Sequence, residues 1–201
     1  MIREIPKGTR VMLLSNSIFW LASNLLIPFL SIFYVTELND VTLTEIGISA
    51  LIYYLAFGFI EPMSGIVSDR IKGLKDEIFF VFGGFFARGV LFIFFAFATN
   101  IWHLYMFQFF LGAFRALSGP SEKVLYAKFL QGKQSALMWG LDESLVNLSA
   151  AIGAGFGGYF ISLFGFRQML ILAGIITVIA GFINLVIIKN LKKVDLPDIK
   201  L

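Results

Sequence analysis

Charged and polar side chains that could do chemistry lie inside long apolar stretches of the sequence. Gln108 and Glu122 are each seven residues from Arg115, so the three share one helix face at intervals of about 10 Å. Glu61 and Arg88 are also charged residues within apolar stretches. A charge inside a bilayer is costly unless it is paired or faces water, so these residues are candidates for a solute or proton pathway.

The carboxyl groups and the arginines predict different chemistry. A carboxyl group in nonpolar surroundings can bind and release protons near neutral pH, as a proton carrier must, and Glu61 and Glu122 are the candidates. A permanent ion pair between Glu61 and Arg88 is an equally good interpretation. Arg115 could bind a solute, or it could only hold helices together.

The first apolar stretch carries a polar face of its own. Asn16, Trp20 and Asn24 follow one another at four-residue spacing, which suggests a lining for a solute. Hydrogen bonds between helices explain the asparagines nearly as well. In the fourth stretch, Pro120 removes a backbone hydrogen bond near Arg115, and this predicts a discontinuity of the kind found at solute sites.

Membrane-spanning helices must position these residues. Hydrophobic residues make up 58% and charged residues 14% of the 201 residues, against roughly half and a quarter in soluble domains. A helix needs about 20 apolar residues to span a bilayer. The sequence therefore predicts an all-α membrane protein with one domain over residues 1–201. The predicted spans are residues 11–35, 46–67, 78–98, 102–126, 136–164 and 168–188.

The segments between the predicted spans alternate in charge. One side carries twelve basic residues, whereas Arg167 is the basic residue of the other side. By the positive-inside rule, both termini are predicted to be cytoplasmic, and the protein is predicted to be integral to the cell membrane. The twelve are Arg3, Lys7, Arg10, Arg70, Lys72, Lys75, Lys128, Lys133, Lys189, Lys192, Lys193 and Lys200.

Other features argue against catalysis and cofactors. The chain has no cysteine, hence no disulfide, cysteine metal site or thiol nucleophile. Its single histidine, His103, falls in a predicted loop, and no paired catalytic set is visible. No glycine-rich segment carries the lysine and hydroxyl of a phosphate loop. We expect neither an enzyme nor a bound cofactor, metal or nucleic acid, and the expected partners are the lipid bilayer and a small solute.

The segment after the second stretch reads Gly65-Ile-Val-Ser-Asp69-Arg70-Ile-Lys72-Gly73-Leu-Lys75. It resembles the loop signature of the major facilitator superfamily, with one extra residue before Gly73. In that family the aspartate meets a helix amino terminus of the other half of the transporter, where the macrodipole favours an anion. The resemblance implies a gate latch on the cytoplasmic side, although ordinary loop charge is the simpler interpretation. The latch residues would be Gly65, Asp69, Arg70, Lys72 and Lys75.

Two further segments resemble the same family. Leu111, Arg115, Ser118 and Gly119 match its pattern of a leucine, a mid-helix arginine, a polar residue and a glycine. The fifth stretch has small residues at the spacing of its antiporter signature, with Ala154 in place of the proline. Small residues four apart also let a neighbouring helix approach closely, whatever the family. The predicted packing residues are Gly140, Ser149, Gly153, Gly157 and Gly158.

The resemblance implies a half-size member of the family, with six transmembrane helices arranged as two three-helix inverted repeats. Usual members have twelve helices in two halves. Because a lipid-facing Arg115 would be costly, we expect a partner, and two copies can take both places under two-fold symmetry. Asp69 of one copy would then face the start of the other copy's fifth span, around Trp139 and Gly140. The basic residues Arg70, Lys72 and Lys75 could meet Asp142 and Glu143 there. Pairing with a separate second half stays open.

The function implied by the resemblance is secondary active transport of a small solute by alternating access, with proton-coupled efflux as one form of it. The alternative is a membrane protein that assembles with a partner and transports nothing. The residues predicted to form the solute and proton pathway are Arg115, Glu61, Glu122, Arg88, Asn24, Gln108, Asn16 and Trp20.

Overall fold

The computed structural model describes residues 7–39, 41–70, 73–130 and 135–191. The predicted all-helical fold is confirmed: no strand occurs in this part of the chain, and one isolated bridge joins Asn39 to Asn100. The elements in chain order are α1 (Lys7–Leu26), a 3-10 turn (Ile27–Phe29), α2 (Leu30–Glu37), α3 (Leu43–Arg70), α4 (Leu74–Phe95), α5 (Ile101–Leu130), α6 (Ser135–Phe164) and α7 (Phe166–Leu191).

The helices have the length and composition of membrane spans. Within the described residues, five helical segments are long and apolar enough to cross a bilayer: Gly8–Glu37, Leu43–Arg70, Leu74–Phe95, Ala136–Phe164 and Phe166–Val186. Helix α5 has 30 residues and is long enough as well, but its polar and charged side chains make it less apolar. The protein is therefore an integral membrane protein.

The first predicted span is interrupted by a proline. Pro28 lies in the 3-10 turn that separates α1 from α2. Proline has no N–H group, and its ring clashes with the carbonyl four residues earlier, so an α-helix ends or bends there. Pro62 and Pro120 lie inside α3 and α5, which continue through them. The discontinuity predicted at Pro120 is therefore found at Pro28 instead.

The helices pack as a continuous series in the order α6, α1, α7, α4, α5 and α3. Because α3 and α6 lie at the two ends of this series, each leaves a broad apolar face uncovered. The exposed side chains include Leu51, Tyr54 and Phe59 on α3, and Leu148, Ile152 and Phe156 on α6.

Glycine allows α6 to pack closely against α1. A Cβ atom added at Gly153 would lie 2.5 Å from the carbonyl oxygen of Leu21, and one added at Gly157 would lie 2.5 Å from that of Leu25. Both distances are far inside van der Waals contact, so only glycine fits. The backbone of α1 thus approaches the small residues of α6 closely, as residues of this size at four-residue spacing allow.

The other predicted packing residues have different surroundings. Gly158 packs against the ring of Phe29, where an added Cβ atom would lie 3.1 Å from Cζ. Ser149 is half-buried. Gly140 is exposed, and an added Cβ atom would meet no atom within 4 Å. Gly140 therefore does not pack against another helix in the described part of the chain.

Arg167, at the start of α7, holds three connections together. It donates hydrogen bonds to the Glu37 carboxylate at 3.2 Å and to the carbonyl oxygens of Ala96 at 3.0 Å and Ala98 at 3.4 Å. The preceding turn is made by Gly165, whose φ of 89° lies in the region that favours glycine. Arg167 thus ties the end of α2 and the turn after α4 to α7.

Candidate functional site

Two adjoining cavities lie between α1, α3, α4 and α5, and both have Phe19, Trp20, Arg88 and Arg115 in their walls. The first has a volume of about 260 Å³ and is called the carboxylate cavity. Its acidic lining residues are Glu61, Glu122, Asp142 and Glu143. The second, of about 250 Å³, is called the aromatic cavity, and the described residues that line it include no carboxylate. Its further lining residues include Ser23, Tyr53, Tyr54, Phe92 and Gln108.

A larger cavity of about 630 Å³ lies between α4 and α5, and it shares no lining residue with these two. Its walls are mainly apolar, with Phe79, Phe80, Phe114 and Leu117, and Asp76 is its one charged residue among those described. A lipid chain suits such a surface better than a polar solute does. The two smaller cavities, which hold the charged groups, form the candidate site.

Arg115 stands in the shared wall with aromatic neighbours. Its guanidinium carbon is 5.3 Å from the ring centroid of Phe57 and 5.9 Å from that of Trp20, so the rings stabilise the charge by cation–π contact. In the described part of the chain, Arg115 forms no hydrogen bond or ion pair through its side chain. Its N–H groups can therefore donate to a bound solute.

Arg88 is held more firmly than Arg115. It is 5% exposed, and it donates from Nε to the carbonyl oxygen of Gly84 at 3.0 Å and from Nη2 to Ser118 Oγ at 3.4 Å. Its guanidinium carbon lies 4.2 Å from the Phe19 ring centroid and 4.7 Å from that of Phe85. Arg88 thus cross-links α4 to α5 and also presents its charge to both cavities.

The possible ion pair between Glu61 and Arg88 is not formed. Glu61 pairs with Lys123, with Nζ 3.0 Å from Oε1, and the two side chains are 26% and 72% exposed. Glu122 is half-buried and lines the carboxylate cavity. In the described residues it makes no ion pair or side-chain hydrogen bond. Its carboxyl group is therefore the one least constrained by protein partners.

Asp142 occupies a place that the sequence did not indicate. It is 7% exposed and accepts hydrogen bonds from Tyr126 Oη at 2.7 Å and from Asn16 Nδ2 at 3.1 Å. The Asp142 carboxylate therefore accepts hydrogen bonds from its own chain and lines the carboxylate cavity. It was expected instead to meet the loop of a second copy. Glu143 lines the same cavity but is exposed.

Of the remaining predicted pathway residues, some line a cavity, whereas Asn24 does not. Gln108 lines the aromatic cavity and donates to Tyr34 Oη at 3.2 Å. Trp20 lines both cavities. The Asn24 amide donates to the carbonyl oxygen of Trp20 on its own helix at 2.9 Å, and Asn24 is not among the lining residues of either cavity.

The predicted latch residues lie at the junction of α3 and α4. Asp69, Arg70 and Lys75 are exposed, and Gly65 has open space beside it. Lys72 lies outside the described residues. A neighbour that sequence reasoning missed is Glu77, which is 2% exposed and accepts hydrogen bonds from Ser68 Oγ at 2.8 and 2.9 Å. Its place in the first turn of α4, where an acidic side chain is favoured, was the available signal.

Four other residues at the site were not among the predicted pathway residues. Ser118, which belongs to the family pattern around Arg115, and Tyr126, which the sequence offered only as a possible solute contact, lie three and eleven residues from Arg115 and continue the face that carries Glu122. Phe19 and Phe57 contact the arginines from other helices. No local signal in the sequence indicates those two.

The sequence of this chain is similar to a known protein family and to individual membrane proteins. The family model described as Major Facilitator Superfamily matches residues 12–199. The membrane sensor protein UhpC of Salmonella typhimurium is 25% identical over 142 residues, which are 71% of this chain and 31% of that protein. Its counterpart from Escherichia coli K12 is 24% identical over 138 residues, 69% of this chain and 30% of that protein.

The methylenomycin A resistance protein of Streptomyces coelicolor is 26% identical over 171 residues. The match covers 85% of this chain and 35% of that protein. The chain thus spans about a third of the length of the curated relatives it matches.

Proposed function

Because this chain belongs to the major facilitator superfamily, we propose that it carries a small solute across the membrane by secondary active transport with alternating access. The observation behind the proposal is the pair of cavities around Arg115, whose charge contacts rings but forms no ion pair with a carboxylate in the described structure. An arginine kept in an apolar bundle without a paired carboxylate is best explained by a solute or water pathway.

Within this proposal the residues have different tasks. Arg115 binds the solute through its free N–H groups. Glu122 carries the proton, because it makes no ion pair or side-chain hydrogen bond among the described residues, whereas Glu61 pairs with Lys123 and Asp142 accepts two hydrogen bonds. Since Glu122 and Arg115 line one cavity, the proton and the solute can influence each other's binding. Proton-coupled efflux is the form of transport that we propose, and resistance is what the name of the Streptomyces relative denotes.

The order of helix packing supports two inverted repeats of three spans. In this arrangement α1 corresponds to α5, α3 to α6 and α4 to α7. The contact between α1 and α6 then has its counterpart in the contact between α5 and α3, and the contact between α1 and α7 has its counterpart in the contact between α5 and α4. The contact between α4 and α7 is its own counterpart. Transporters built from such repeats place their solute site between them and open alternately to the two sides of the membrane.

A second six-helix unit would cover the exposed faces of α3 and α6, and we propose that a second copy supplies it. Gly47, Gly58 and Gly65 leave open space along α3, whereas α6 exposes large side chains such as Ile152 and Phe156. The grooves beside the α3 glycines can accept the bulky side chains of α6. Under two-fold symmetry, α3 of each copy packs against α6 of the other copy, so both exposed faces are covered. The cytoplasmic latch would join Asp69, Arg70, Lys72 and Lys75 of one copy to the start of the other copy's α6.

A reconstituted flux assay tests the transport function. Liposomes that contain the purified protein, an entrapped pH-sensitive dye and an imposed pH gradient would receive small anionic, neutral and cationic aromatic solutes. We expect the protein to accumulate at least one of these solutes against its concentration gradient and to dissipate the pH gradient as it does so. Flux that matches that of protein-free liposomes for every solute would contradict the proposal.

The proposed homodimer predicts a mass of two chains in lipid nanodiscs. Native mass spectrometry should show the dimer, and Asp69→Ala should shift the population towards monomer, because the latch loses its anion at a helix amino terminus. Asp76→Ala is the matched control, since it removes the same charge from an exposed residue that lines the cavity between α4 and α5 and is not a predicted latch residue. A monomer at every protein concentration would exclude the second copy and favour a separate second unit.

A second candidate function comes from the relatives named membrane sensor proteins. In this case the protein would bind its solute and pass the signal to an assembly partner without moving the solute. Solute binding with no flux in the liposome assay would favour this candidate over transport.

A further inference from the structure

We infer that the aromatic cavity binds a small aromatic organic anion, with its acid group on Arg115 and its ring against the aromatic side chains. This inference rests on the proposed function, because it names the class of solute that the site takes. Both cavities contain the two arginines, and the aromatic cavity differs from the carboxylate cavity in having no carboxylate among its described lining residues.

The charges of the wall favour an anion. Arg88 and Arg115 both line the aromatic cavity, and they are linked through adjacent rings: Arg88 lies over Phe19, and Arg115 lies near Trp20. The centroids of these two rings are 5.6 Å apart. The two positive charges also act on each other electrostatically, and in a bundle of low dielectric an anion bound between them relieves this repulsion.

The protein's own carboxylates do not replace such an anion in the aromatic cavity. Glu122 is two helical turns from Arg115 along α5 and acts electrostatically on both arginines, but it does so from the carboxylate cavity and does not line the aromatic cavity. Glu61, Asp142 and Glu143 line the carboxylate cavity as well, and the first two already have partners. A cationic solute in the aromatic cavity would face both guanidinium groups with no carboxylate in the wall.

The rest of the wall suits an aromatic ring. Tyr53 and Phe57 are stacked at 6.3 Å on α3, and Tyr53, Tyr54 and Trp20 line the cavity, where they offer ring faces and edges to a flat solute. Ser23 also lies in the wall, and its buried hydroxyl has no hydrogen-bond partner in the described part of the chain. An apolar cavity of roughly 150 Å³ holds benzene, so about 250 Å³ accommodates a two-ring acid.

Three naphthalene derivatives of the same shape test this inference: naphthoate, naphthamide and naphthylmethylammonium. Binding to the purified protein in nanodiscs would be measured by isothermal titration calorimetry at a single salt concentration. We expect naphthoate to bind at least about tenfold more tightly than the neutral amide, since a charge-assisted hydrogen bond is about twice as strong as a neutral one. The ammonium compound should not bind detectably.

Arg115→Gln should remove this preference for the anion. We expect naphthoate to bind about tenfold more weakly to this variant and naphthamide to change by less than about twofold, because the charge of Arg115 is lost while the rest of the wall is kept. Lys128→Gln is the matched control: it removes one positive charge from the same helix at a residue that lines neither cavity. Its naphthoate affinity should equal that of the unsubstituted protein.

Several outcomes would overturn the inference: no binding of naphthoate at millimolar concentration, equal binding of acid and amide, stronger binding of the ammonium compound, or an unchanged preference in Arg115→Gln. The comparison of the three compounds on the unsubstituted protein needs no variant, so it decides the question even if Arg115→Gln does not fold. The binding experiment is independent of flux. Selective naphthoate binding without transport would support the anion site and contradict the transport function. Transport of only cationic solutes would support the transport function and contradict the anion site.

Discussion

The Arg115→Gln protein is expected to lose solute transport, by roughly a hundredfold in initial rate, while it stays folded. Arg115 is the charged group whose N–H donors are free in the described structure and whose position in both cavity walls lets it follow a solute through the site. A neutral glutamine offers one amide in place of a charged fork. The liposome flux assay described above measures the rate.

Two controls separate a functional arginine from one that only holds helices together. Arg115→Lys keeps the positive charge but loses the planar fork, so we expect a smaller loss, about tenfold. Folding would be followed by size-exclusion chromatography and thermal unfolding. Because Arg115 makes no ion pair in the described residues, its removal leaves no carboxylate without a partner, and the melting temperature should not fall. Normal flux in a destabilised Arg115→Gln protein would show that the role is structural.

The second large effect concerns the contact between α6 and α1. Gly157→Ala is expected to lower the free energy of unfolding by about 1–3 kcal/mol or more, because overpacking a close contact forces the helices apart. The new methyl group would lie 2.5 Å from the carbonyl oxygen of Leu25 and 2.9 Å from the ring of Phe29. Backbone atoms cannot move aside as a flexible side chain can. Thermal unfolding in detergent, together with the yield of monodisperse protein, measures the effect.

Gly155→Ala is the matched control on the same helix. An added Cβ atom at Gly155 meets no atom within 4 Å, so the substitution should be neutral or slightly stabilising through the better helix propensity of alanine. Gly153→Ala should behave like Gly157→Ala, because its methyl group would lie 2.5 Å from the carbonyl oxygen of Leu21. Equal stability of Gly155→Ala and Gly157→Ala would contradict the packing described for this face.

Properties that depend on composition and helical spacing could be predicted from the sequence. The apolar content and the length of the apolar stretches indicate membrane helices, because about 20 apolar residues are needed in every span whatever its neighbours are. The segment from Gly65 to Lys75 and the surroundings of Arg115 indicated the family, which the match over residues 12–199 confirms. Helix periodicity also placed Arg115 and Glu122 on one face, and both line the carboxylate cavity.

The partners of each charge could not be read from the sequence. An ion pair between Glu61 and Arg88 was one of two open interpretations, yet Glu61 pairs with Lys123 at a separation of 62 residues, and Arg88 lies on the ring of Phe19. Asp142 is joined to Asn16 across 126 residues. Such contacts depend on how each helix is rotated about its axis and where it crosses its neighbours, and local spacing determines neither.

The effect of each proline was likewise decided by the fold. Pro28 separates α1 from α2, whereas Pro62 and Pro120 lie inside continuous helices. All three lack the same N–H group, so the sequence predicts the same lost hydrogen bond for each. Whether the helix breaks there depends on the helices that pack around it. The sequence by itself therefore determined that this protein is a helical membrane protein with charges on particular helix faces. Only the tertiary structure decided which charges meet, because contacts between helices depend on side-chain packing over the whole bundle.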